Sequence, residues 1–221
     1  MARVARFLRD LDRRQLPIHL TPVVEQMLGT MADALPRKEA LVFRTLAKPA
    51  LAGRALRLLG AQGALFEPML RNTVNATIVR GGEKINVVPS RVELELDGRA
   101  LPGFSPDDLI AELHGIAGDD VEVELVRHDA GAGAPDLSRF DVLAEILREL
   151  DPEAVPIPLL QVGVTDGRFF SRAGIQTYGF TPLRLPDDFR FLRLIHAADE
   201  RVPVEALEFG AEAIYRAIGR L

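Results

Sequence analysis

The apolar period of this chain first changes at Asn72. Before it, hydrophobic residues recur at three- and four-residue intervals: Val4, Phe7, Leu8 and Leu11, then Val24, Met27, Leu28 and Met31. Beyond it they alternate, as Val92, Leu94 and Leu96 do between Arg91, Glu93 and Glu95. A period near 3.6 places apolar side chains on one face of a helix, and a period of two places them on one face of a strand. One class of secondary structure cannot satisfy both patterns, so the fold has to join a helical run to a sheet.

The first amphipathic helix is expected over residues 2–14. Thr21 as cap and Pro22 at the first helical position open a second, which Pro36 stops. Further helices over 39–46, 51–59 and 64–70 make residues 22–70 an all-helical insertion, with Gly60 ending the middle one. A strand over 73–79, a turn at Gly81 and Gly82, and the alternating strand around Val92 follow. Ser105, Pro106, Asp107 and Asp108 then read as cap, first helical residue and acidic first turn. Their helix carries Leu109, Ile110, Leu113 and Ile116 inward, ends near Gly118, and is followed by a strand over 121–125. This middle part is an α+β layer.

Residues 129–135 offer little side chain to bury and mark a domain boundary. Beyond them Ser138 is expected to cap a helix with Phe140, Leu143, Leu147 and Leu150 inward. A nearly continuous apolar strand over 157–161, a helix from Thr165 to Gly174 and a strand over 177–180 come next. Pro203 opens a last helix with Val204, Leu207, Ala211, Ile214 and Ile218 inward. Alternation of helix and strand points to α/β architecture here.

The absence of cysteine excludes disulfides, thiolate metal sites and cysteine nucleophiles. A net charge of -5 argues against a nucleic-acid partner. No apolar run is long enough to cross a bilayer, so neither a membrane partner nor a secreted location is expected, and the cytoplasm is the default. His196 closes the apolar run of Leu192, Leu194 and Ile195 and precedes Asp199 and Glu200. Such a histidine is either a metal ligand with a carboxylate nearby or a structural or surface residue. Thr165, Asp166, Gly167 and Arg168 form a turn into a short helix, and Asp166 and Arg168 are expected to pair and brace it.

Three collinear segments carry a family resemblance: NTVNATIVRGGEKINVVPSRVELELDGRALPG at residues 72–103, GVTDGRFFSRAGIQTYGF at 163–180, and IHAADERVPVEALEFG at 195–210. They resemble the zinc-dependent peptidase family M20, which holds aminoacylase, carboxypeptidase G and succinyl-diaminopimelate desuccinylase. The resemblance implies an α+β lid (dimerisation) domain over residues 1–130, with the helical insertion 22–70 inside it. Residues 136–221 would be the C-terminal portion of an α/β catalytic domain, whose family members hold two zinc ions. The implied partners are a small carboxylate-bearing substrate and a second copy of the chain.

Residue by residue, His196 matches the last zinc ligand and Glu200 an acidic residue that accompanies it. Asn86 and Arg99 match lid residues facing the substrate carboxylate, for which an amide and a guanidinium fork are suitable chemistry. Gly163, Val164 and Thr165 match a loop that presents backbone groups to substrate. Without the resemblance, Arg99 reads as a surface ion-pair residue and Asn86 as a turn residue. The family's His-x-Asp and Glu-Glu motifs do not occur, and His19, His114 and His128 match no ligand position. The chain therefore reads as an N-terminally truncated member with no catalytic residue of its own and no tightly bound zinc. It would be inactive alone, a non-catalytic dimerising or carboxylate-binding module, or one chain of a split enzyme.

Overall fold

The computed structural model describes residues 1–118 and 121–221. Helix α1 (Ala2–Arg13) buries only Phe7. Four helices then pack each on the next: α2 (Pro22–Ala34), α3 (Arg37–Leu46), α4 (Pro49–Leu59) and α5 (Gly63–Leu70). Pro22 takes the first helical position as expected, but the Thr21 side chain does not cap. Its hydroxyl is buried without a partner, and its carbonyl accepts from the N–H groups of Val24 and Glu25 at 3.0 Å. Val24, Met27 and Leu28 of α2 join Leu46, Leu56 and Leu70 in the main core. Each such buried side chain contributes about 1.5–3 kcal/mol. Gly60 turns the chain out of α4 at φ 55°. At Gly63, a Cβ would stand 2.2 Å from the Leu56 carbonyl oxygen, so only glycine lets α5 start so close to α4.

The sheet has two antiparallel strands, β1 (Thr73–Arg80) and β2 (Glu93–Arg99), running from Thr73 opposite Arg99 to Arg80 opposite Glu93. An irregularity between Ala76 and Ile78 leaves Thr77 out of register, and its hydroxyl donates to the Glu95 carbonyl at 3.1 Å. Val92, Leu94 and Leu96 are half-buried between exposed neighbours, as the alternation requires. Helix α6 (Pro106–Ala117) begins with a reciprocal cap between Ser105 and Asp108 and ends at Gly118, φ 68°. Helix α1 packs on both β1 and α6.

Buried Asn72 locks this layer to the helical run. It accepts from the Leu101 N–H at 2.8 Å and donates to Glu112 of α6 at 3.1 Å. Glu112 also hydrogen-bonds His19, whose ring lies 4.3 Å from that of Phe104. Thus the change of period at Asn72 coincides with the residue that joins the two kinds of structure.

The second half has α7 (Phe140–Leu150), α8 (Gly167–Arg172), α9 (Phe191–Leu194) and α10 (Val204–Ile218). The strands expected over 121–125, 157–161 and 177–180 are not formed. These segments lack ladder partners among the described residues, and apolar sequence alone does not make a strand without one. They are used otherwise: Ile157 and Leu160 pack on the main core, and Tyr178 and Phe180 pack on a second cluster of Leu143, Ile146, Ala213 and Ala217. Ser138 does not cap α7, whose N-cap is Arg139. The Ser138 N–H instead donates to Asp136 Oδ1 at 2.8 Å.

Helix α10 presents the opposite face from the one expected. Ala206, Gly210, Ala213 and Ala217 are buried, while Val204, Leu207, Ile214 and Ile218 are exposed. A Cβ on Gly210 would stand 2.6 Å from the Pro182 carbonyl oxygen. Small residues allow the backbones to approach closely, and α7 takes that side. Both stripes of α10 are apolar, so helical periodicity cannot choose between them.

Candidate functional site

His196 follows α9 and is the one non-glycine residue among those described with positive φ, at 60°. Left-handed backbone costs a non-glycine residue energy, and such strain gathers at sites where geometry is over-determined by its surroundings. The ring is exposed, as is Glu200, whose N–H donates to the Ala197 carbonyl at 3.2 Å. Asp199 is ion-paired with Arg201, so it is turned to that cation and not to the histidine.

Arg99 lies at the end of β2 paired with the start of β1, and its Nε donates to Asp97 Oδ2 at 3.1 Å. Asn86 lies in loop 81–92, beyond the other end of the same hairpin. There it lines an open depression of about 600 Å³ with Lys84, Val87 and Met1. The six residue steps of β2 separate the two ends by roughly 20 Å. Gly163, Val164 and Thr165 are exposed, and the Thr165 carbonyl accepts from the Arg168 N–H at 3.3 Å. Among the described residues, no hydrogen bond or ion pair joins Asn86, Arg99, His196 and Glu200 to one another.

Asp166 and Arg168 do not pair. Arg168 Nη1 reaches Asp129 Oδ2 at 2.8 Å, and Arg172 Nη2 donates to Asp129 Oδ1 at 2.7 Å. Both arginines point from α8 back to the linker, beyond the reach of a residue on their own turn. The bond from Arg172, with the charges of Arg168 and Arg172, holds the Asp129 carboxyl below the usual carboxylate range. The linker at residue 129 is therefore tied to α8, the helix that follows Gly163–Thr165.

A catalytic zinc ion takes about three protein ligands. Among the described residues no three histidine, aspartate or glutamate side chains are grouped so as to hold a metal. His196 alone does not fit a binuclear centre, and no chemical step can be derived through one from these residues.

Two arrangements escape a reading of motifs. The first is the network of His19, Asn72, Glu112 and Phe104, which no local pattern announces. The second is a cleft of about 370 Å³ lined by Arg13, Arg54, Arg57 and Arg71. Its one sequence signal is the spacing of Arg54 and Arg57, three apart on a helix and hence on one face.

A family model described as a peptidase dimerisation domain matches residues 1–123, the part of the chain that holds α1, β1, β2, α6 and the helical run between α1 and β1. The chain belongs to the M20 peptidase family. It is 24% identical over 216 residues to the human N-fatty-acyl-amino acid synthase/hydrolase PM20D1, covering 94% of this chain and 42% of that protein. Identity is also 24% over 144 residues to the probable carboxypeptidase S-like 2 of Dictyostelium discoideum, covering 63% of this chain and 27% of the relative. The mouse PM20D1 is 24% identical over 157 residues, with 68% of this chain and 31% of the relative covered. The chain thus spans less than half the length of these curated relatives. No solved structure matches.

Proposed function

We propose that this chain supplies the dimerising lid and the carboxylate-recognising groups of an amidohydrolase-type peptidase. The observation that carries the reading is the dimerisation-domain match over residues 1–123. Arg99 and Asn86 would bind the carboxylate of a small substrate, one as a charged fork and the other as an amide donor. Gly163, Val164 and Thr165 would present backbone groups to the bond being hydrolysed. The names of the relatives speak of N-fatty-acyl amino acids and of a carboxypeptidase, both of which set a carboxylate beside an amide.

His196 would be one metal ligand, with Glu200 beside it, and the rest of a zinc centre would have to come from polypeptide outside residues 1–221. By itself the chain would dimerise without catalysing. Exposed Ile78 and Val79 on β1, and Ile85, Val87 and Val88 on the adjoining loop, favour self-association through the hairpin. Light scattering coupled to size-exclusion chromatography tests this. A dimer mass is expected, and Val79→Glu should shift it toward monomer. A monomer at every concentration, up to about 100 μM, would remove the reading.

A further inference from the structure

The cleft between the end of α1 and the start of α4 has a charge balance that the lid reading does not use. Arg13, Arg54, Arg57 and Arg71 line it, together with Gln15 and Gly53, and no acidic side chain does. Arg71 is fixed at the end of α5 with only 6% of its side chain exposed. Its Nη1 donates to the Leu16 carbonyl at 2.8 Å. Its Nε lies 3.4 Å from Glu67 Oε1, yet both atoms are buried without a hydrogen-bond partner. Burial lowers the affinity of the Arg71 guanidinium for its proton, Glu67 opposes that, and the charge of Arg57 adds to it.

Arg13, Arg54 and Arg57 make no hydrogen bond or ion pair among the described residues. Three exposed guanidinium groups thus line the cleft together with a buried fourth, whose acidic neighbour Glu67 is not part of the lining. The first turn of α4, at Pro49 and Ala50, forms another part of the wall, and no side chain caps it. Nothing but the tip of Arg57 lies within 4 Å of where a Cβ on Gly53 would stand, so the space above that glycine is open.

We propose that this cleft binds the phosphate group of a small multiply charged ligand. Four cations with one carboxylate nearby exceed what a single carboxylate ligand would balance. A phosphate monoester or diphosphate brings two or three charges and enough oxygens for several guanidinium forks at once. The volume is at the small end of the range for ligand sites. The site shares no lining residue with Asn86, Arg99 or His196, so it stands whether or not the chain takes part in hydrolysis.

The test is calorimetric titration of the full chain with inorganic pyrophosphate at constant ionic strength. Binding with a dissociation constant below roughly 1 mM is expected. The double variant Arg54→Gln/Arg57→Gln should weaken it at least tenfold with an unchanged melting temperature, since both side chains are exposed and unpaired. An Arg91→Gln/Arg139→Gln control removes as much charge elsewhere and should bind as the parent does. Heat that disappears once salt is matched, equal affinity in the first variant, or equal loss in the control would overturn the site. Citrate binding as tightly as pyrophosphate would overturn the phosphate class. Co-sedimentation with phosphatidic acid vesicles in the absence of pyrophosphate binding would assign the arginines to a lipid surface and overturn the small-ligand site.

Discussion

Asn72 shows how much one buried side chain can settle. Its amide bonds to the Leu101 N–H and to Glu112, and Asn72 itself is 1% exposed. Replacing it by alanine leaves the buried Leu101 N–H without a partner and loosens Glu112. The expected cost is about 1–3 kcal/mol, read as a lower urea midpoint, whereas exposed Asn75→Ala should stay within about 0.5 kcal/mol. Single residues also set the response to acid. The carboxyls of Asp108, Asp129, Asp136 and Glu149 are held low: Asp108 by bonds from the Ser105 side chain and backbone, Asp129 by Arg172, Asp136 by the backbone and side chain of Ser138, and Glu149 by Arg220. A depressed folded-state pKa gives stability that is present above the ordinary carboxylate value near 4 and lost as pH falls through the lower folded value. Urea midpoints should therefore hold down to about pH 5 and decline steadily below about pH 4. A midpoint that rises on acidification would contradict the sign. At this scale the sequence alone gives residue types well and partners poorly. Arg99 is legible as an ion-pair residue because Asp97 is two positions away on the same strand face. Arg168 is not, because Asp129 is reached only through the fold.

Helices were easier to read than strands, for a physical reason. A helix satisfies its backbone within one segment, so period, proline, glycine and caps define it locally. The expected helices around Met27, Leu46, Leu56 and Leu70 accordingly match α2 to α5 closely. A strand needs a partner that its own sequence does not contain. Segments 157–161 and 177–180 have strand composition but pack as unpaired extended chain. Helix α10 adds a second lesson: where two apolar stripes share one helix, the smaller side chains take the closest contact. Gly210→Ala should lower stability by about 1–3 kcal/mol through the clash with Pro182. Leu207→Gln on the opposite face should change it by less than about 0.5 kcal/mol. Thermal melts of the two variants would distinguish this arrangement from the reverse one, in which the order of the effects is exchanged.

At the scale of the molecule, the family was legible because three collinear segments, far apart in the chain, each kept their motif. Their arrangement in space was not legible. Asn86 and Arg99 stand at opposite ends of one hairpin, and His196 lies exposed on an unrelated turn. A carboxylate clamp and a metal ligand acquire meaning only when further groups complete them, and motif order along a chain does not say where those groups come from. Equilibrium dialysis of residues 1–221 against zinc, with metal quantified per chain alongside hydrolysis of an N-acyl amino acid, probes that completion. We predict less than one tightly held zinc per chain and no turnover above the uncatalysed rate. Two zinc ions retained per chain, with sustained hydrolysis, would contradict it.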